Sequence, residues 1–165
     1  MKELNFKNAS EYLSKLRSTF YIMVGFPLPV FLYVYFASRE NNYSPVLKAI
    51  PDYLLVSIPV VCFGMAAFAY IAFFRKLKVS RTISDLREKL THYYTISLNK
   101  FIWLEVASVV NVLIYFLSGN IVFAGLYIAM LILFAMNNPN YFSVVGDLRL
   151  SKTEKEIMKQ NMTIP

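Results

Sequence analysis

Glu105, Ser108, Asn111, Tyr115 and Ser118 recur along a stretch, 101–118, that is otherwise almost wholly apolar. At 100° per residue, their side chains fall within an arc of about 140° on a helix. A carboxylate, hydroxyls and an amide in one line can accept a proton or guide a cation. Facing lipid, such a stripe would be costly, so it belongs to a bundle interior or a subunit contact. Two ordinary explanations compete for Glu105. The residue lies about one turn from Lys100, with Trp103 between them as an interfacial anchor, so its carboxylate can reach Arg75, Lys76 or a water-filled vestibule. An acid near a helix N-terminus also complements the helix dipole. The balance leans towards a structural residue at the edge of a membrane span.

Other chemistry is poorly supplied. The single histidine, His92, falls on a different side of a membrane boundary from the single cysteine, Cys62, so one chain assembles neither a Cys-His pair nor a His/Cys metal cluster. There is no glycine-rich phosphate loop, and acids such as Asp85 and Glu88 lie among basic residues as ordinary solvated helix charge. The expectation is a non-enzymatic protein with no catalytic residues, no metal and no cofactor, and with His92 at the surface.

The elements that must position the stripe follow from hydropathy. Of the 165 residues, 57% are hydrophobic, and the mean hydropathy is +0.47. A soluble domain is about half apolar, and here the apolar residues fall into four blocks of roughly bilayer-crossing length. The blocks are 20–37, 53–74, 101–117 and 121–136. In hydrocarbon each must be a helix, because no water satisfies its backbone. The fourth, with 16 residues, rises only about 24 Å. It borrows the following Asn137 and Asn138 or sits in thinned lipid, with a re-entrant segment as the alternative. The expected fold is all-α: a four-helix transmembrane bundle forming one integral membrane domain, with short cytoplasmic amphipathic helices in the loop 75–100 and the tail 137–165.

All of the 17 basic residues except Arg39 and Lys48 precede the first block, lie in 75–100 or follow the fourth block. The positive-inside rule then makes both termini and the central loop cytoplasmic. Topology and contact with anionic headgroups account for the net charge of +7, so nucleic acid is not an expected partner. The first block has too long a polar lead and too extended an apolar core for a signal peptide, and is expected to be a retained span.

Within this frame, "KNASEYLSKLRSTF" reads as an interfacial helix capped by Asn8 or Ser10, with Tyr12, Leu13 and Leu16 on one face. Gly25, Pro27 and Pro29 bend the first span. "NNYSP" and "IPDY" mark turns in a short outer loop. Cys62, Ala66 and Ala69 form a flat face for close helix packing, as do Gly125 and Ala129 on the fourth span. Ser118, Gly119 and Asn120 join spans three and four in a tight hairpin. In the central loop, Thr82 and Asp85 form a capping box, and Leu86, Leu90, Tyr93 or Tyr94, and Leu98 follow at helical spacing. This amphipathic helix is expected to rest on the lipid surface or on a partner. The tail reads as two short helices. Asn138 caps the first, with Pro139 at its first position and Gly146 ending it, and Ser151 with Glu154 starts the second.

"LREKLTHYYTISLNKFIWLE", "YFLSGN" and "NNPNYFSVVGDLRLSKTEKE" together resemble an uncharacterised family of small four-span bacterial inner-membrane proteins, over roughly the last half of the chain. The resemblance picks out Glu88, Lys89, Glu105, Gly119, Asn120, Pro139, Asp147 and Leu148. The residue before the proline is often basic in such proteins and is Asn138 here, so a headgroup-binding role for that position is not carried over. The leading expectation is a bacterial inner-membrane accessory protein. It would engage a protein partner or the inner leaflet of the lipid bilayer through Leu86, Leu90, Tyr93 and Tyr94. The alternative is a small transporter or channel that uses Glu105 and Asn111 in a polar path. Four helices barely enclose a path, so this alternative requires a homo-oligomer.

Overall fold

The computed structural model describes residues 4–40, 43–47 and 49–164. The basic residues Lys2 and Lys48, and Asn41 and Asn42 of the expected outer turn, lie outside the described residues. Seven α-helices make up the described fold: α1 (Ala9–Gly25), α2 (Leu28–Arg39), α3 (Asp52–Ser80), α4 (Leu86–Ser118), α5 (Ile121–Met136), α6 (Tyr141–Leu148) and α7 (Lys152–Lys159). Three stretches are long and apolar enough to cross a membrane: Ala9–Arg39, Asp52–Ser80 and Leu86–Ser118. A fourth candidate exists if α5 and α6, bent by 75° at their junction, count as one span.

The break in Ala9–Arg39 falls where Gly25 and the prolines place it. α1 ends at Gly25, and α2 starts after Pro27 with a further proline in its first turn, because proline has no N–H to continue the helical ladder. α5 occupies the fourth apolar block without borrowing the asparagines. Asn137 closes it, its side-chain amide donating to Leu133 O at 2.6 Å.

The central loop shrinks to 81–85. No glycine or proline interrupts 86–118, so the expected amphipathic helix and the third span are one 33-residue helix. Its cap is Asp85, whose Oδ2 accepts from Glu88 N at 2.8 Å. Thr82 instead donates back to Val79 O at the end of α3. Asn140, not Asn138, caps α6 in a reciprocal pair with Ser143. Gly146 lies inside α6, and Arg149 ends it in a left-handed conformation at φ 52°. Ser151 and Glu154 form the expected capping box of α7.

The chain divides into two compact units. One, here the charged unit, comprises the residues up to Tyr21, Tyr70–Lys100 and the residues from Asn138 onwards. The other, the apolar unit, comprises Ile22–Ala69 and Phe101–Asn137.

The charged unit has its own core, and this corrects the expected occupant of the α4 face. Leu86, Leu90 and Tyr93 are buried together with Tyr12, Leu16 and Phe20 of α1, Phe73 and Leu77 of α3, and Leu148 of α6. Tyr12 donates its hydroxyl to Leu90 O at 3.0 Å, and the half-buried Tyr94 meets Thr19 Oγ1 at 2.8 Å. Burying each large side chain contributes about 1.5–3 kcal/mol, so Tyr12, Leu16 and Phe20 of α1 and Leu86, Leu90 and Tyr93 of α4 lie inside this core. Arg87 donates to both Phe6 O (2.9 Å) and Ile164 O (3.0 Å), and Asn8 bridges to Thr163. This fastens the two ends of the described chain together. His92, expected at the surface, is half-buried with Nδ1 at 2.6 Å from Ser80 Oγ.

In the apolar unit, Cys62, Ala66 and Ala69 are buried as the small face predicts. Gly125 is not part of a close contact. It is exposed, and a Cβ there would meet nothing within 4 Å. α5 packs through Phe123, Ala124, Tyr127 and Met130 instead. The α4–α5 hairpin closes on Gly119 at φ +64°, with Tyr43 and Pro45 in ordinary contact where a side chain would begin. Asn120 then caps α5 by accepting from Val122 N at 3.0 Å.

Candidate functional site

The α4 stripe faces the interior of the apolar unit. Ser108, Asn111 and Tyr115 are buried, and Glu105 and Ser118 are half-buried. Three of these side chains turn back onto their own helix. Ser108 Oγ donates to Leu104 O (3.0 Å), Asn111 Nδ2 to Ala107 O (2.8 Å) and Ser118 Oγ to Ile114 O (2.7 Å). Such bonds let a polar side chain sit inside an apolar bundle.

What remains unpaired defines the site. Both carboxylate oxygens of Glu105, Asn111 Oδ1 and the Tyr127 hydroxyl are shut off from the surface without a hydrogen-bond partner among the described residues. Towards the hairpin end, Ser38 Oγ and the Tyr43 hydroxyl are in the same condition. An unpaired buried polar group costs about 1–3 kcal/mol, more for a charge, so this concentration calls for an explanation.

Neither a helix-dipole contact nor an ion pair among the described residues accounts for Glu105. α4 begins at Leu86, so Glu105 lies about five turns inside it, beyond reach of the dipole at the helix N-terminus. Among the described residues the ion pairs are Lys15 with Glu11 and Lys89 with Glu154. Neither involves Glu105.

Tyr127 is the site residue that the sequence did not single out. It is the only polar side chain in 121–136, which is the signal that could have marked it. Within electrostatic range of Glu105, it is fully buried, with its ring 4.6 Å from that of Phe31. Phe31 also packs on Tyr115 at 5.8 Å, so α2, α4 and α5 meet on one aromatic cluster beside the stripe. Cys62 of α3 points its sulfur at Ala107 O from 3.9 Å. Trp103 is 41% exposed and packs edge-on against Phe68, a placement suited to an interfacial anchor.

The other nominated group, Leu86, Leu90, Tyr93 and Tyr94, belongs to the core of the charged unit described above. Tyr93 donates to Asp147 Oδ2 at 2.7 Å, and Arg81 donates to Asp147 O at the same distance. Lys100 is buried over the Phe73 ring, 4.0 Å from its centroid. That burial pulls its ammonium down to about 8, with Asp147 opposing the shift. Among the described residues, no three His, Cys, Asp or Glu side chains cluster as a metal site would require.

Comparison with known proteins adds no relative: no family model, no curated protein and no solved structure matches the chain.

Proposed function

We propose that the chain is a non-enzymatic bacterial inner-membrane protein that crosses the bilayer four times as a helical bundle, with both termini cytoplasmic, and that as a homo-oligomer it passes a small cation along the α4 stripe. The observation carrying this reading is the orphaned carboxylate of Glu105, in line with the orphaned amide oxygen of Asn111 on α4. An ionisable group in a membrane helix marks an ion path by default, and Glu105 has neither an ion pair among the described residues nor a place at a helix N-terminus. The topology rests on the basic residues, which concentrate in the charged unit and leave Arg39 as the described cation of the outer loop. The likeness to small four-span inner-membrane proteins agrees with this topology. The test is flux in vesicles reconstituted with the purified chain. A pH-dependent cation flux that disappears in Glu105→Gln is expected, and equal flux in both would overturn the reading.

The accessory-subunit reading keeps one specific support. Lys152, Lys155 and Lys159 are exposed along one side of α7. With Leu86, Leu90 and Tyr93 withdrawn into the core, this cationic face is what the charged unit offers to an acidic protein surface or to inner-leaflet headgroups.

A further inference from the structure

The tail concentrates exposed cations around an exposed aromatic ring. Lys152, Lys155 and Lys159 are exposed and fall within an arc of about 60° around α7. Arg149, also exposed, is the C-cap of α6. Glu156 is the exposed acid among them, because Glu154 is taken up by Lys89 and Asp147 by Tyr93. Phe142 of α6 is 82% exposed. Its neighbour Tyr141 donates its hydroxyl to Lys155 O at 3.3 Å, which sets the start of α6 against the middle of α7. We infer that this tail face docks on anionic phospholipid headgroups, with Phe142 as its apolar anchor and Arg149, Lys152, Lys155 and Lys159 as its cations. The inference rests on the accessory reading of α7 and adds the occupant; it does not need the cation path.

Exposed lysines alone are ordinary solvated charge, so the choice of occupant turns on the other residues. An acidic protein surface accounts for the cations and leaves Phe142 unexplained, whereas the boundary between headgroups and acyl chains takes an aromatic ring and cations together. The start of α6 is also held close to lipid. Four residues separate the apolar α5 from α6, a tether of at most about 18 Å when fully extended.

Arg149 supplies the independent sign that charge is wanted here. It holds φ 52° and ψ 49°, left-handed values that are costly for a side chain and free for glycine. Among the described residues, no hydrogen bond, ion pair or ring contact holds its guanidinium. Nothing within the chain rewards an arginine over a glycine at this cap, and such a residue points to a role outside the fold. A guanidinium matches the phosphate of a headgroup with two parallel hydrogen bonds.

The test uses the full chain in lipid nanodiscs, with Trp103→Phe and Phe142→Trp moving the single tryptophan onto α6. Its fluorescence is read against phosphatidylglycerol or phosphatidylcholine brominated along the acyl chain, at equal mole fraction. Stronger quenching by the brominated phosphatidylglycerol supports the inference, and salt at about 1 M, where the screening length is about 3 Å, should remove the preference. Each cation at an anionic surface is worth about a fivefold preference. Arg149→Gly and Lys155→Gln should each lower it by up to that factor, and Glu156→Gln should raise it. Arg149→Gly should also hold or raise the unfolding midpoint in detergent, and a lower midpoint overturns the assignment of Arg149. Absence of quenching by either lipid overturns the inference and leaves the accessory reading with an acidic protein as partner. Equal quenching by both lipids, unmoved by salt, also overturns it. Nanodiscs present both leaflets, so sidedness does not enter. The phosphatidylglycerol preference in a chain whose Lys155→Cys variant reacts with an impermeant thiol reagent from the periplasmic side supports the headgroup site while refuting the cytoplasmic topology.

Discussion

The two units handle buried polarity in opposite ways. In the charged unit, every described buried side-chain polar atom has a partner, while the apolar unit holds all those without one, on Ser38, Tyr43, Glu105, Asn111 and Tyr127. The charged unit has more such groups to satisfy. Ser80, Lys89, Ser97 and Lys100 are all buried there, with Lys89 held by Glu154 at 2.5 Å and Lys100 set over aromatic rings. Scarcity of donors explains part of the contrast, since a sequence with few polar residues has few mutual partners. It does not explain why a lone carboxylate is retained where any apolar residue would pack at lower cost. Pairing in one unit is what stability requires, and its absence in the other is where function should be sought.

The largest way to break this comparison is to remove one acid from each unit. Glu154→Ala strips the partner from a buried ammonium and should cost about 3 kcal/mol, read as a lowered unfolding midpoint in detergent. Glu105→Gln removes a charge that no group compensates, so the midpoint should hold or rise. Equal losses would mean that Glu105 is as much a structural residue as Glu154.

A second, smaller effect is a pH profile that arises in the charged unit. Burial lowers Lys100 from 10.5 to about 8, so between those values the folded unit binds fewer protons than the unfolded chain, and stability rises with pH. Tyr12 and Tyr93 work in the other direction. Burial first, then the neighbouring tyrosines for Tyr12 and Asp147 for Tyr93, holds both above 10.0. Their contribution is complete below 10.0 and is lost as pH climbs further. Denaturation midpoints taken across this range should therefore pass through a maximum near 10. Replacing Lys100 with methionine should flatten the rising limb.

Much of this was legible in the residues. The apolar blocks, the break at Gly25–Pro27, the Gly119 hairpin, the small face of α3 and the inward turn of the α4 stripe all follow from local chemistry and period. What could not be read was the pairing of distant segments. Leu86, Leu90 and Tyr93 display an amphipathic period that says a face must be covered, and nothing in the period says that Tyr12 and Leu16, more than seventy residues earlier, will cover it. The same ignorance misplaced Glu105. A helix start expected just before Phe101 placed the acid near a dipole, whereas the uninterrupted sequence back to Leu86 puts it mid-helix. Tyr127 was hidden because a tyrosine among leucines reads as packing, and its hydroxyl acquires meaning only once Glu105 is near.

The smallest expected effect on stability comes from Gly125, and it sharpens the comparison at the face of the apolar unit that the proposed homo-oligomer could use. A Cβ at Gly125 would meet nothing within 4 Å, so Gly125→Leu should change the unfolding free energy by no more than about 0.5 kcal/mol. Yet Gly125 and Ala129 stand one turn apart on the outside of α5, the spacing at which helices in lipid approach each other closely. A cation path built from four helices needs neighbouring copies to wall it. If this face supplies that contact, the leucine variant should fold normally but lose oligomer in cross-linking of native vesicles, and its flux should fall with it. Intact oligomers and undiminished flux would move the contact to another face of the apolar unit, with the exposed Tyr33 and Phe36 of α2 as the next surface to alter.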